Sequence, residues 1–165
     1  VRNTLGITID DPFRSPAPVP EAEARQLFTT LHQGMYRSLD FGNEERIYDV
    51  LASSVDGKLL ETLYLQLRKS LELREQGGAV ARIREITYDR NDLISDAKTM
   101  AWPGFEVQTR WTVSGTVEHW GHVHERQNQF DAVVAIEPRD GAWKITRMDV
   151  SGQTQKSART TLRKF

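Results

Sequence analysis

Three features of the chain predict an α+β domain in which three N-terminal helices pack on a strongly curved antiparallel sheet. Apolar residues recur at helical spacing through the first half, in stretches separated by Gly, Asn and Asp. From Ala79 the period switches to two. The alternation from Phe105 to His119 would then stretch to about 50 Å at ~3.3 Å per residue, far beyond the common strand, so it must bend, and Gly115 is the expected place.

The first helix starts at Pro20, a residue suited to a first turn, with Glu21 and Glu23 where the helix dipole favours negative charge. Leu27, Phe28, Leu31, Met35 and Leu39 form its buried stripe. Gly34 inside it costs about 1 kcal/mol relative to alanine, which predicts a close backbone approach. Gly42 breaks this helix, and Asn43 before Glu44 and Glu45 reads as the N-cap of a shorter helix using Ile47, Val50 and Leu51. After Asp56-Gly57, the residues Leu60, Leu63, Tyr64, Leu67 and Leu71 give a third helix ending at Gly77-Gly78, a pair suited to a left-handed cap.

In the first strand Ala79, Ala81 and Ile83 share one parity and Ile86 and Tyr88 the other, which predicts a β-bulge. Asn91 to Gly104 is left open: Leu93 and Ile94 could add a short strand, and Trp102-Pro103-Gly104 is a turn. In the long strand Phe105, Val107, Trp111, Val113 and Val117 occupy odd positions while polar residues fill the even ones. Thr112, Ser114 and Thr116 are therefore expected to be more exposed than Trp111, Val113 and Val117. A two-residue turn at Trp120-Gly121 returns the chain so that Phe130, Ala132, Val134 and Ile136 share the face of Trp111. Asp140-Gly141 makes the next turn, and Trp143 to Val150 is the last strand, with Trp143 in the core.

Three segments organise the chain: an extended linker over 1–20, rich in Pro and Asp, one domain over 21–150, and a basic tail over 151–165. The tail, with Lys156, Arg159, Arg163 and Lys164, reads as a solvated terminus or as an electrostatic contact with a membrane surface or acidic partner. The chain begins at Val1 without methionine and is read as a processed protein or a piece of a longer one, with attachment to a membrane through flanking sequence as one expectation. A net charge of −1 gives no general attraction to nucleic acid. The lack of cysteine excludes disulfides and thiolate chemistry.

Three helices followed by a bent sheet, with the hairpin Asp140-Gly141-Ala142-Trp143-Lys144-Ile145 at its end, resembles the cone-shaped nuclear-transport-factor-two-like superfamily, over about Glu21 to Val150. The blocks Gly34 to Phe41, Gln76 to Ala79 and His119 to Arg126 also look like soluble domains attached to uncharacterised bacterial membrane proteins. The superfamily resemblance implies either a pocket enzyme or a non-catalytic domain that dimerises or binds small ligands, and fold cannot choose between them. No segment matches a catalytic motif of its isomerases or dehydratases, so no catalytic residue is carried over, and no cofactor is expected.

The residues themselves offer one cluster. Near the Trp120 turn, the face that holds Trp111 carries His119, His122, His124, Arg126 and Asn128. His122 and His124 point to one side and His119 lies opposite His122. These five residues are the candidate site for a small polar or anionic ligand or a protein partner; the three imidazoles alone are an alternative zinc site, and a solvated structural cluster is the bland reading. The leading expectation is a non-enzymatic binding domain; the alternative is a small lyase or isomerase using a pocket histidine. His32 reads as a boundary histidine, Tyr36, Tyr48 and Tyr64 as core-boundary rings, and Asp131 and Glu137 as lying on the outer face. That outer face is charged, which predicts a monomer or a weak, polar dimer.

Overall fold

The computed structural model describes residues 18–95 and 103–162. Most of the N-terminal linker, Trp102, and Arg163 and Lys164 of the tail lie outside the described residues. Three helices precede four strands: α1 (Glu21–Arg37), a 3-10 turn (Ser38–Asp40), α2 (Glu44–Ser54), α3 (Gly57–Glu75), β1 (Val80–Ser95), β2 (Phe105–His119), β3 (His122–Arg139) and β4 (Ala142–Leu162). The strands form one antiparallel meander in the order β1-β2-β3-β4, curved and unclosed, and the fold is α+β. Among the described residues, no helix is long and apolar enough to cross a membrane.

Each helix follows from local chemistry. Phe28, Leu31 and Met35 of α1 are buried, while Leu39, beyond its end, is exposed. The side chain of Asn43 accepts hydrogen bonds from the backbone N–H of Glu45 and Arg46 at 2.9 and 3.3 Å and so caps α2. At the end of α3 the Gly78 N–H donates to Leu73 O and the Gly77 N–H to Arg74 O, with Gly77 at φ 81°, which is a Schellman cap. Gly34 is a close approach: a Cβ there would lie 2.2 Å from Ser54 Oγ, so glycine is what lets α1 and α2 touch. Leu59, Leu60, Leu63, Leu67 and Leu71 of α3 are only half-buried and Leu65 and Leu73 are exposed, because that helix lies on α2 and β4 with much of its surface open.

The sheet alternates as its pattern requires, and bulges bend it. Register shifts between Ile83 and Glu85, Tyr88 and Arg90, and Leu93 and Ser95 account for the parity slip in β1, which also takes in Leu93 and Ile94. Gly115 sits where β1 comes close: a Cβ on it would lie 2.4 Å from Arg82 O. Both hairpins carry two positive-φ residues, Trp120 and Gly121 at 43° and 78°, Asp140 and Gly141 at 49° and 80°, the type I′ pattern that matches strand twist. Trp111, Val113, Val134, Ile136 and Ile145 are buried beneath the helices, and Phe130 and Trp143 are half-buried against them. Thr109, polar but on this face, donates to Asn91 Oδ1 at 2.7 Å.

One boundary and one exposure order differ from the sequence expectation. The last strand does not end at Val150 but runs to Leu162, pairing Gln153 to Leu162 with the first half of β3. Residues 151–161 are mostly polar and exposed, so no apolar pattern announces the extension; it is held by the ladder hydrogen bonds that β3 offers. The expected order of exposure holds at Trp111, Thr112, Val113 and Ser114, and reverses at the next pair: Thr116 is only 5% exposed while Val117 is half-buried. Val117 lies beyond the helices. Thr116 stands between Arg82 and Glu125 on the outer face, where the Arg84–Glu125 ion pair at 3.2 Å crosses its strand.

The C-terminal hairpin also fastens the helices. The Asp56 N–H donates to Ile145 O at 3.0 Å, and Lys144 Nζ donates to the carbonyls of Ala52 and Ser53 at 2.6 and 2.8 Å. Those carbonyls end α2, so Lys144 places a cation at the negative pole of a helix dipole and satisfies carbonyls left without helical partners.

Candidate functional site

The sheet brings the histidines together as the turn at Trp120 requires. His119 pairs with His122, and Val117, His124 and Thr160 form the neighbouring row on the same face. His124 Nε2 lies 3.0 Å from His119 Nε2, and His124 Nδ1 lies 2.9 Å from Thr160 Oγ1. One of the two Nε2 atoms donates an N–H and the other accepts it. His122 stands apart, its ring centroid 6.2 and 6.3 Å from those of His119 and His124. Loss of solvation, then the neighbouring His119, Arg126 and His122 charges, hold His124 below the ordinary histidine range. Among the described residues no three His, Asp or Glu side chains converge on a point that could hold a metal ion. Arg126 is exposed opposite Gly115, and Asn128 is half-buried opposite Val113, where the helical cover begins.

A second feature lies on the same face under the helices. Met35, Tyr36 and Leu39 from the end of α1, Leu63 and Leu67 of α3, and Trp111, Phe130, Met148 and Val150 of the sheet enclose an open cleft of about 350 Å³. Its polar lining is Ser38, Gln66 and the Tyr36 hydroxyl, which accepts a hydrogen bond from Trp111 Nε1 at 3.0 Å. Burial pushes the Tyr36 hydroxyl pKa up. Trp111 and Phe130, cross-strand partners, stack at 5.2 Å and form its floor. None of the five candidate residues near the turn lines this cleft.

Behind the floor is His32, which is fully buried rather than at a boundary. Its ring lies among Phe28, Tyr36, Tyr88 and Trp111, with centroids between 4.7 and 5.6 Å away. Nδ1 meets the Tyr88 hydroxyl at 2.8 Å, and Nε2 has no polar partner. Burial drives its pKa down to about 3, so the imidazole is neutral at physiological pH. The same effect raises the Tyr88 hydroxyl. Tyr48 and Tyr64, read from the sequence as core-boundary rings, pack edge to face at 5.3 Å away from the cleft, where the Tyr64 hydroxyl donates to Glu44. Asp131 lies on the outer face and accepts from Arg110 Nε at 2.7 Å.

Met35, Leu39, Leu51, Leu63, Leu67, Trp111 and Phe130 of the cleft were visible in the sequence as apolar core-facing positions, whereas Ser38, Gln66, Met148 and Val150 were not. What it lacked was any sign that α3 stands off the sheet near Val150; the one available hint was the low apolar content after Val150, which leaves nothing for a helix to cover.

No protein-family model matches the chain, and no curated protein sequence does. Among solved structures, the fold is similar to the crystal structure of the intermembrane space region of chloroplast protein ARC6, with a TM-score of 0.52 and 14% identity over 79% of this chain and 98% of that one. At that identity the likeness is one of fold.

Proposed function

We propose that this chain is a non-catalytic binding domain of a larger, membrane-attached bacterial protein, and that its cleft receives an apolar group from a small ligand or a protein partner. The observation that carries this reading is the lining: apolar side chains around about 350 Å³, with no carboxylate, lysine, arginine or histidine among them. General acid–base chemistry needs a group that titrates near the working pH. His32, the nearest imidazole, is buried behind Trp111 with a pKa of about 3, which weighs against the lyase or isomerase alternative. The likeness to one region of a larger protein supports a domain carried by a longer chain. The cone-shaped superfamily reading rests on the element order and on the Asp140 to Ile145 hairpin.

His119, His122, His124, Arg126 and Asn128 form a separate proposed contact for a polar or anionic ligand, supported by the close approach of His119 and His124 and by the exposed Arg126. A monomer or weak polar dimer is supported by the ion pairs that cover the outer face, Arg110–Asp131 and Arg84–Glu125 among them.

The cleft is tested with a neutral apolar fluorophore such as N-phenyl-1-naphthylamine and the variant Leu67→Arg. Leu67 is half-buried on α3, so a long cationic side chain can enter the cleft mouth without opening the core. Affinity should drop about tenfold or more with the thermal midpoint little changed. Absence of binding by the parent chain, or equal binding by the variant, overturns the reading.

A further inference from the structure

The far end of the sheet carries a residue that neither packing nor turn chemistry explains. Trp120 is 89% exposed at the tip of the β2–β3 hairpin. Its backbone sits at φ 43°, in the first central position of a type I′ turn, where Asn, Asp or Gly is the favoured residue and a bulky side chain is disfavoured. The ring makes an edge contact with His119 at 5.9 Å and otherwise faces solvent.

A basic band lies behind this tip although the chain as a whole carries −1. The three rows nearest the turn carry His119, His122, His124 and Glu118; Arg82, Arg84, Arg126, Lys156 and Arg159 follow in the next rows, with Glu85 and Glu125, and Arg84 is paired with Glu125. The sequence continues beyond Leu162 with Arg163 and Lys164.

We propose that this hairpin tip docks on an anionic lipid surface, the Trp120 indole entering the headgroup region and the basic band of the next rows facing it. An indole is apolar in body and polar at its N–H, which suits the water–membrane boundary. Lysines and arginines held near the surface add attraction to anionic lipid that falls with salt. A protein partner fits less well: an interface Trp sits in a packed apolar patch with a polar rim, whereas Trp120 is flanked by His119, Gly121 and His122. The surface lies at the opposite end of the sheet from the Trp111 cleft and stands without it.

Co-sedimentation of the 165-residue chain with vesicles of phosphatidylcholine, with and without phosphatidylglycerol, tests this. The chain should bind the anionic vesicles about fivefold or more in excess of the neutral ones and release them as salt rises. Trp120→Asn creates the Asn-Gly pair that a type I′ turn prefers, so the hairpin is retained with an equal or higher thermal midpoint while binding drops about fivefold. Arg159→Gln should reduce binding to anionic vesicles and leave the neutral ones unaffected. Equal binding by Trp120→Asn overturns the proposal, as does failure of the parent chain to bind either vesicle. A concentration-dependent dimer lost in Trp120→Asn, without vesicle binding, would make a second copy the occupant and overturn it equally.

Discussion

The two halves of the sheet share one alternation and have opposite fates. From Phe105 to Val113 the inward side chains are buried, and they meet Phe130, Val134, Ile136 and Ile145 across the ladder. From Gly115 to His119 the same face continues with Val117 and His119 opposite His124 and His122, and those side chains are only half-buried. Strand geometry is common to both stretches; what differs is the layer above. The helices cover the first half and stop near Phe130, so the inward face of the second half is left open to water. Alternation tells which way a side chain points. Burial needs a second layer, and the polar content of Gln153 to Thr161 is what a sheet without one requires.

The largest test of this division is to remove mass from the covered half. Trp111 floors the cleft, stacks on Phe130 and bonds Tyr36, so Trp111→Ala should cost about 3–5 kcal/mol in urea unfolding. A loss under about 1 kcal/mol would mean that the helices do not depend on this face.

Next in size is the pH dependence that His32 gives the covered half. Its folded pKa is about 3 against an ordinary 6.5, so above pH 6.5 the ring is neutral folded or unfolded and imposes no penalty. As pH falls from there, the unfolded chain takes up a proton that the folded one refuses, and stability drops by about 1.4 kcal/mol per pH unit until the folded pKa is reached. The variant His32→Phe, which keeps an aromatic ring among Phe28, Tyr36, Tyr88 and Trp111, should lose that part of the acid slope between pH 6 and 4. An unchanged slope would show that His32 is solvated.

The smallest effect belongs to the open half. His124→Ala removes the contacts to His119 and Thr160 on a half-buried face, and should change stability by less than about 1 kcal/mol. A cost near that of Trp111→Ala would show that a layer covers this end too, and would erase the contrast.

Local rules made much of this molecule legible. The Asn43 cap, the Gly77-Gly78 terminator, both type I′ turns and the register that sets His119 opposite His122 follow from residues close in sequence, because each is a matter of backbone conformation or strand period. The close approach at Gly34 was also readable, since a glycine in a helix needs a reason, though not that Ser54 would supply it.

Other features required the assembled tertiary structure. Residues 151–162 form a strand because β3 presents an unpaired edge, and pairing with a partner distant in sequence leaves no apolar pattern in the strand that joins. His32 is buried because Tyr88 and Trp111, brought from two strands, close over a helix position that looks peripheral in a helical projection. The Trp111 cleft exists because α3 and the end of α1 stand off the sheet where its apolar rows run out. The sequence alone determined the direction of each side chain and the conformation of each turn, which are properties of a few consecutive residues. Which of those side chains are dry, and where the layers part to leave a cavity, was decided by how the helices lie across the sheet, a sum of contacts between residues far apart in the chain.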